Sequence, residues 1–385
     1  MRGAPPPPAM DWEALRADFP TLQRTTYLNT CSLGALSRQS REAVVRFLDL
    51  WEEHGASAWY RIWLGELQAT REKFARLIGA GADEVAILPN VSSALAVLAS
   101  AGPQEGNVVS ARMDFPTIPY QWMAKPGFEV RLAGSPDGIR TPLSEYERLV
   151  DAQTRWVATS HVFYTSGAVQ DARALADLAH RNGARMLLDA YQGTGQLPTD
   201  VKALGVDAYV TGGLKWLLGG PGIAYVYVRR ELHDQLHPTI TGWFAHAEQF
   251  QFDSGSFRAH GDARRYEMGT PATAAIYAGG AGLDIILKLG PHAIRQRMHE
   301  LTRELFERVQ DAGYTLATPE KEDERAGIVM VRHPEPKHVV AALREKHNII
   351  VDYRPGRVRV SAYFYNTSAE IEAFVDAMRK VAPPA

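Results

Sequence analysis

Cysteine is almost missing from this 385-residue chain, which carries one, Cys31. A lone thiol excludes an intrachain disulfide framework and any zinc or iron–sulfur site built on several cysteines, so no metal site is expected. It also fits a reducing cytoplasm. An excess of one charge is missing as well. Lys and Arg number 42 against 44 Asp and Glu, a net charge of −2, so the basic footprint of a nucleic-acid binder is not there. No apolar run reaches the roughly 18 residues of a membrane span. The start, Met1 to Pro8, has four prolines where a secretory leader has a hydrophobic stretch, and it reads as a short extended tail. Internal repeats are absent. No Gly-x-Gly-x-x-Gly follows a strand, which argues against a nicotinamide dehydrogenase. What remains is an ordinary globular mix, 45% apolar and 22% charged, in a chain long enough for two or three domains of roughly 150 residues each.

From about 85 to 228 short apolar runs alternate with helical stretches. Val85–Leu88, Asn107–Ser110, Arg155–Ser160, Arg185–Asp189, Val206–Val210 and Ile223–Val228 read as strands, with helices over 92–100 and 171–182 between them. Such alternation predicts an α/β fold with a mostly parallel sheet covered on both faces. Two helices precede it, over 37–63 and 66–79. Beyond about 255 the pattern changes to a long helical stretch at 273–312, short strands near 327–331, 349–351 and 358–361, and helices at 336–346 and 368–381. The expected organisation is an N-terminal arm (1–35), a large domain (36–255) and a smaller α+β domain (256–385).

Ligands of open parallel sheets sit at the carboxyl ends of the strands, and three groups fall there. Asp189 ends an apolar strand, where a carboxylate is costly unless it meets a cation. Lys215 lies in Thr211-Gly-Gly-Leu-Lys-Trp-Leu-Leu-Gly-Gly-Pro-Gly222, a glycine-flanked apolar turn in which an amine would have a lowered pKa and suit Schiff-base chemistry. Asn90-Val-Ser-Ser93 leads from a strand into a helix whose N–H groups and hydroxyls suit a phosphate. Each has a plainer reading, in which Asp189 caps a turn, Lys215 is a surface lysine and the serines form an N-cap. Taken together, phosphate cup, aspartate and lysine describe pyridoxal 5′-phosphate.

At these residues the sequence resembles the fold-type-I, class V aminotransferase superfamily, which includes cysteine desulfurases, selenocysteine lyases, isopenicillin-N-epimerase-like proteins and kynureninases. The resemblance runs from Tyr27-Leu-Asn to Tyr365-Asn-Thr367. It is most specific in Leu187-Leu-Asp-Ala-Tyr-Gln192 and Gly213-Leu-Lys-Trp-Leu-Leu-Gly-Gly-Pro-Gly222. It implies a pyridoxal-phosphate enzyme acting on an amino acid. Lys215 would be the Schiff-base lysine and proton shuttle, Asp189 the partner of the pyridine nitrogen, and Gln192 a hydrogen-bonding partner of the cofactor's phenolic oxygen or of the aldimine. Phe115 in Asp114-Phe-Pro-Thr117 would stack on the ring. Val91, Ser92 and Ser93 would hold the phosphate, with Thr211 compensating for Gly212 and Gly213. Thr270 in Glu267-Met-Gly-Thr-Pro271 would reach the phosphate of a neighbouring subunit, which implies a homodimer with active sites at its interface. Trp243 would lie near cofactor and substrate, and Asn29 near the substrate mouth. Arg359 would clamp the substrate carboxylate, with Arg357 as its rival on the same strand face.

Within the superfamily the signals divide. Phe115-Pro-Thr, Ser160-His-Val, Gly242-Trp-Phe-Ala-His246 and Gly269-Thr-Pro resemble kynureninase, whereas Ile118, Gln192 and Leu214 depart from it. Gln192 suits a desulfurase, yet no cysteine in the C-terminal half would accept sulfur. Phe163 stands where relatives often place an asparagine beside the ring. The resemblance leans to a lyase that cleaves at the β- or γ-carbon side, with an aminotransferase as the alternative and a non-catalytic member of the fold opposed by the presence of both Lys215 and Asp189.

Overall fold

The computed structural model describes residues 10–384, and the proline-rich start lies outside them. Its strands are β1 (Thr26–Tyr27), β2 (Val85–Leu88), β3 (Gly106–Ala111), β4 (Phe128–Ala133), β5 (Thr154–Ser160), β6 (Arg185–Asp189), β7 (Ala208–Gly212), β8 (Ala224–Val228), β9 (Val329–Arg332), β10 (Ile349–Ile350), β11 (Asp352–Arg354) and β12 (Arg357–Val360). Seven of them form one sheet in the order β2-β8-β7-β6-β5-β3-β4. Neighbours within β4-β3-β5-β6-β7 are parallel, and β8 runs antiparallel to both β7 and β2. The sheet is therefore mostly parallel, as the alternating pattern predicts. Strands β7 and β8 are buried along their whole length and β6 from Met186 onward, because helices cover both faces and each face needs apolar side chains.

The edge strand β4 is absent from the sequence reading. Its Phe128-Glu-Val-Arg-Leu-Ala133 run is only half-buried, so charged residues interrupt the apolar signal that marks the inner strands. The helical stretch expected over 273–312 is two helices, Thr273–Leu289 and Pro291–Asp311. Gly290 sits between them at φ 83°, and Pro291 opens the second, where its missing N–H and fixed φ cost nothing. The first of these helices packs on Arg38–His54 and Leu64–Leu77, and its Ile276, Leu283 and Ile286 join the core beneath the large sheet.

The C-terminal part holds a three-stranded antiparallel sheet, β11-β12-β9, with its own apolar core that includes Leu301, Leu343, Val358 and Phe374. Short β1 pairs in parallel with β10. Residues 26–35 thus leave the C-terminal part and run back beside the turn that carries Lys215. Gly34 N–H donates to the Leu214 carbonyl at 3.0 Å. No helix among the described residues is long and apolar enough to cross a membrane.

Candidate active site

Adjacent strand ends build the site. Ser160 and Asp189 are the last residues of β5 and β6 and are paired in register, and β7 runs through Gly212 directly into the lysine turn. A cavity of about 260 Å³ opens above these ends, lined among others by Val91, Ser92, Phe115, Asp189, Gln192 and Lys215. A wider concavity, about 960 Å³, lies elsewhere, between the helix Leu64–Leu77 and residues 244–267. Of the two, the smaller one combines an amine, a carboxylate and a helix N-terminus.

The lysine turn is wedged in place by glycines. A β-carbon on Gly34 would overlap the Lys215 carbonyl oxygen, and one on Gly282 the Leu217 carbonyl oxygen. Gly195, at φ +95°, lies where a β-carbon would stand 2.6 Å from the Trp216 carbonyl oxygen. Leu218 closes the turn at φ 58°, an uncommon left-handed conformation for a non-glycine residue. Its carbonyl accepts the Ser40 hydroxyl at 3.1 Å. The backbone of the turn is therefore fixed from four directions.

Lys215 Nζ has no hydrogen-bond partner among the described residues and lies 4.3 Å from the centre of the Tyr191 ring. Burial first, and then the charges of Arg359 and Arg354, lower its pKa to about 8 against the raising influence of Cys31 and Asp189. Asp189 is buried and accepts the Tyr191 N–H through Oδ1 at 2.9 Å. No described residue donates to its Oδ2. Burial raises its pKa to about 6, against that hydrogen bond and the charge of Lys215. At the cavity's other end the helix Val91–Ala101 begins. Its N-cap Asn90 takes the Ser93 N–H at 2.8 Å, leaving the Val91 and Ser92 N–H groups without partners among the described residues. Ser92 Oγ and Thr117 Oγ1 stand 3.0 Å apart beside them. Phe115 is half exposed on the wall and meets Tyr164 edge-to-face at 5.2 Å.

The remaining expected residues distribute as follows. Gln192 lines the cavity, but its side chain is tied down. Its Nε2 donates to the Cys31 carbonyl at 3.0 Å, and its Oε1 accepts the Trp216 indole at 2.8 Å. One amide hydrogen is left to serve a ligand. Ser93 and Thr270 line a neighbouring cavity instead. Thr211 is fully buried, and its hydroxyl points at the Ala190 carbonyl, 3.4 Å away. Trp243 is 40% exposed, packs on Phe244 and Phe250 and does not line the Lys215 cavity of its own chain. Asn29 bridges to Ser361 and is likewise outside the lining. Phe163 faces the core, and its neighbours Val162 and Tyr164 face the cavity. Strand alternation puts adjacent residues on opposite sides, which makes a one-residue offset enough to misplace this contact. Cys31 is buried, with its N–H on Ser361 Oγ at 2.9 Å.

Arg357 and Arg359 share a strand face, yet their donors go to different places. Arg357 donates to the backbone carbonyls of Thr165 and Gly138 at 2.7 and 3.0 Å. Arg359 is buried and pairs with Asp352 at 2.6 Å, while its Nε has no partner. Tyr164, Tyr191 and Thr117 also line the cavity, and the sequence reading gave them no role. Tyr191 and Thr117 stand inside the motifs quoted for Asp189, Gln192 and Phe115, whereas no motif marks Tyr164 or Asp352, the partner of Arg359.

A class V aminotransferase family model matches residues 64–374. The chain belongs to that family. An uncharacterized aminotransferase of Bacillus subtilis, YcbU, is 36% identical over 366 residues, 94% of this chain and 96% of that protein. A kynureninase of Pseudomonas fluorescens is 29% identical over 93% of this chain and 89% of its own length. In fold, a cysteine desulfurase of Thermococcus onnurineus NA1 superposes with a TM-score of 0.87 at 22% identity, covering 99% of both chains. The cystine C–S lyase C-DES, in complex with its product cysteine persulfide, gives 0.87 at 20% identity over 95% of this chain and all of its own.

Proposed function

We propose that this protein is a pyridoxal 5′-phosphate enzyme of amino-acid metabolism, and that it cleaves its substrate on the β- or γ-carbon side. One observation carries the cofactor: an amine, Lys215, and a carboxylate oxygen, Asp189 Oδ2, both lack hydrogen-bond partners among the described residues, in one cavity that ends on open helix N–H groups. These donors and acceptors fit an aldehyde, a protonated ring nitrogen and a phosphate. Bound there, the cofactor supplies an electron sink for bonds at the substrate's α-carbon.

The chain's own groups do the rest. A pKa of about 8 leaves roughly a tenth of Lys215 uncharged at pH 7, far more than an ordinary lysine, so Nζ serves as nucleophile and then as carrier of the α-proton. Asp189 would hold the cofactor's ring nitrogen through its Oδ2 and favour that nitrogen's protonated form. The Val91 and Ser92 N–H groups and the Ser92 and Thr117 hydroxyls hold the phosphate. Phe115 covers the ring. Gln192 donates its remaining amide hydrogen to the cofactor's oxygen. Arg359 receives the substrate carboxylate on its free donors and so opposes loss of that carboxylate. Thr270 and Trp243 serve the site of a partner subunit in a homodimer. We read it as a cytoplasmic enzyme, a reading that the single cysteine supports.

Amine exchange with a keto acid is the second reading, favoured by the likeness to an aminotransferase across 94% of the chain. Product analysis on an amino-acid panel separates the two. Ammonia, alanine or sulfide released with a keto acid or a cleaved side chain supports the lyase. Stoichiometric transfer of the amino group to an added keto acid supports the transferase. In either case Lys215→Ala abolishes turnover and the visible absorption band that the protein gives with pyridoxal phosphate.

A further inference from the structure

Arg359, to which the reading above gives the substrate carboxylate, belongs to a charge cluster whose other charged members, Asp352 and Arg354, that reading leaves without a role. Asp352 on β11 stands directly across from Arg359 on β12, and Arg354 lies two residues on, on the same strand face. Asp352 Oδ2 alone takes three donors: Arg359 Nη2 at 2.6 Å, Arg354 Nη1 at 2.8 Å and the Ser32 hydroxyl at 2.9 Å. Its Oδ1 accepts the Tyr353 N–H at 2.8 Å. Arg359 Nη2 also reaches Ser32 Oγ at 2.6 Å, and Nη1 makes a long contact with the Tyr164 carbonyl at 3.5 Å. Nη2 is therefore saturated, and only Nε and part of Nη1 remain free to meet a ligand. The Arg354 guanidinium lies 5.5 Å from the centre of the Tyr164 ring, and that ring lines the cavity.

Two cations and one carboxylate leave the cluster a single positive charge. The α-carboxylate of one amino acid neutralises it. A second acidic group on the substrate would find Arg354 already engaged and Asp352 facing it, a like-charge contact in a partly desolvated site.

We propose that Asp352 is a specificity-determining positioning residue: it fixes Arg359 and withholds Arg354, so that the site takes amino acids with a single carboxylate and refuses those with an acidic side chain. This rests on the amino-acid reading above and names the substrate class within it.

Binding to the cofactor-loaded protein tests it, with L-alanine, L-aspartate and L-glutamate as probes. Dissociation constants come from calorimetry and from the change in the visible band. The parent is expected to bind alanine at least about tenfold tighter than either diacid. Asp352→Asn retains the side chain's shape and raises the cluster to two positive charges, and it should narrow or reverse that ratio by about tenfold or more. Adding Arg354→Ala to Asp352→Asn should restore the parent's preference, which a merely structural loss would not do. Arg354→Ala alone should leave the parent's ratio within about twofold. A parent that prefers a diacid, or an Asp352→Asn protein with an unchanged ratio, overturns the proposal and leaves the functional reading standing. A visible band that responds to no amino acid overturns both.

Discussion

Asp189 is a carboxylate that the fold holds at a cost. With its pKa raised to about 6 against 3.8 unfolded, the folded state binds more protons between those values than the unfolded state does. Stability of the cofactor-free protein therefore falls as pH rises through that window, and the penalty is full above about pH 6. Two units correspond to at most about 3 kcal/mol. Asparagine can still accept the Tyr191 N–H without carrying the charge. Cofactor-free Asp189→Asn should therefore melt higher than the parent at pH 7.5, by a few degrees, with the advantage shrinking to nothing by about pH 4. The same variant should lose most turnover, because an amide does not hold a ring nitrogen protonated. Thermal melts across pH 4–8 read the first effect, and a parent that melts higher at pH 7.5 contradicts it. The two arginines of β12 separate in a similar way. Arg359→Ala removes the guanidinium that the proposed function gives to the substrate carboxylate and should raise KM about tenfold or more with a smaller drop in kcat. Arg357 spends its donors on the carbonyls of Thr165 and Gly138, so Arg357→Ala should lower the melting temperature and leave KM within about twofold. A larger KM effect at Arg357 would reverse the assignment.

At the scale of elements, the lysine turn owes its shape to glycines contributed by other segments. Gly34 comes from the N-terminal residues and Gly282 from the helix Thr273–Leu289, and each lies where a methyl group would overlap a carbonyl of the turn. Gly34→Ala should push Lys215 off its position while the sheet below stays intact. We expect a loss of about 1–3 kcal/mol in stability and at least about tenfold in kcat, measured by denaturation and steady-state rates. An unchanged kcat would mean that the turn does not need the clamp. Elements like these differ in how readily a sequence announces them. Strands β2 and β6 are read to the residue, since Val85–Leu88 and Arg185–Asp189 are apolar runs buried on both faces. The break at Gly290-Pro291 was also present as a turn signal, but the apolar periodicity on both sides overrode it. Lys215 and Asp189 were legible because a strand end and a glycine-rich turn are local features. Asp352 and Tyr164 were not, because their meaning arises only when β11 pairs with β12 beside Arg359 and the loop after β5 folds over the cavity. The glycine clamps are hidden for the same reason: nothing local to Gly34 or Gly282 says that a carbonyl from residues 215–217 will lie against it.

The whole molecule leaves a broad aromatic and aliphatic surface uncovered. Trp51, Tyr60 and Phe252 are 56%, 66% and 69% exposed, with Leu48 at 50%, and Trp243, Phe250 and Phe252 pack on one another close by. The wide concavity between Leu64–Leu77 and residues 244–267 opens among them. Large exposed apolar surface of this kind marks a protein interface, and a self-complementary two-fold contact is the commonest solution. Thr270 and Trp243 do not line the Lys215 cavity of their own chain, so in a homodimer they are available to the partner's. That arrangement has a consequence which no monomer can show. Lys215→Ala is inactive because its own amine is gone, and Thr270→Ala combined with Trp243→Ala should be nearly inactive because each site lacks its neighbour's contribution. When the two inactive proteins are unfolded together, refolded and mixed in equal amounts, about half of the dimers should be hybrids. One site of each hybrid then takes Lys215 from one chain and Thr270 with Trp243 from the other, all intact. Activity should rise to about a quarter of the parent's. Sites complete within a single chain would give no recovery on mixing, since neither parent contributes a whole one.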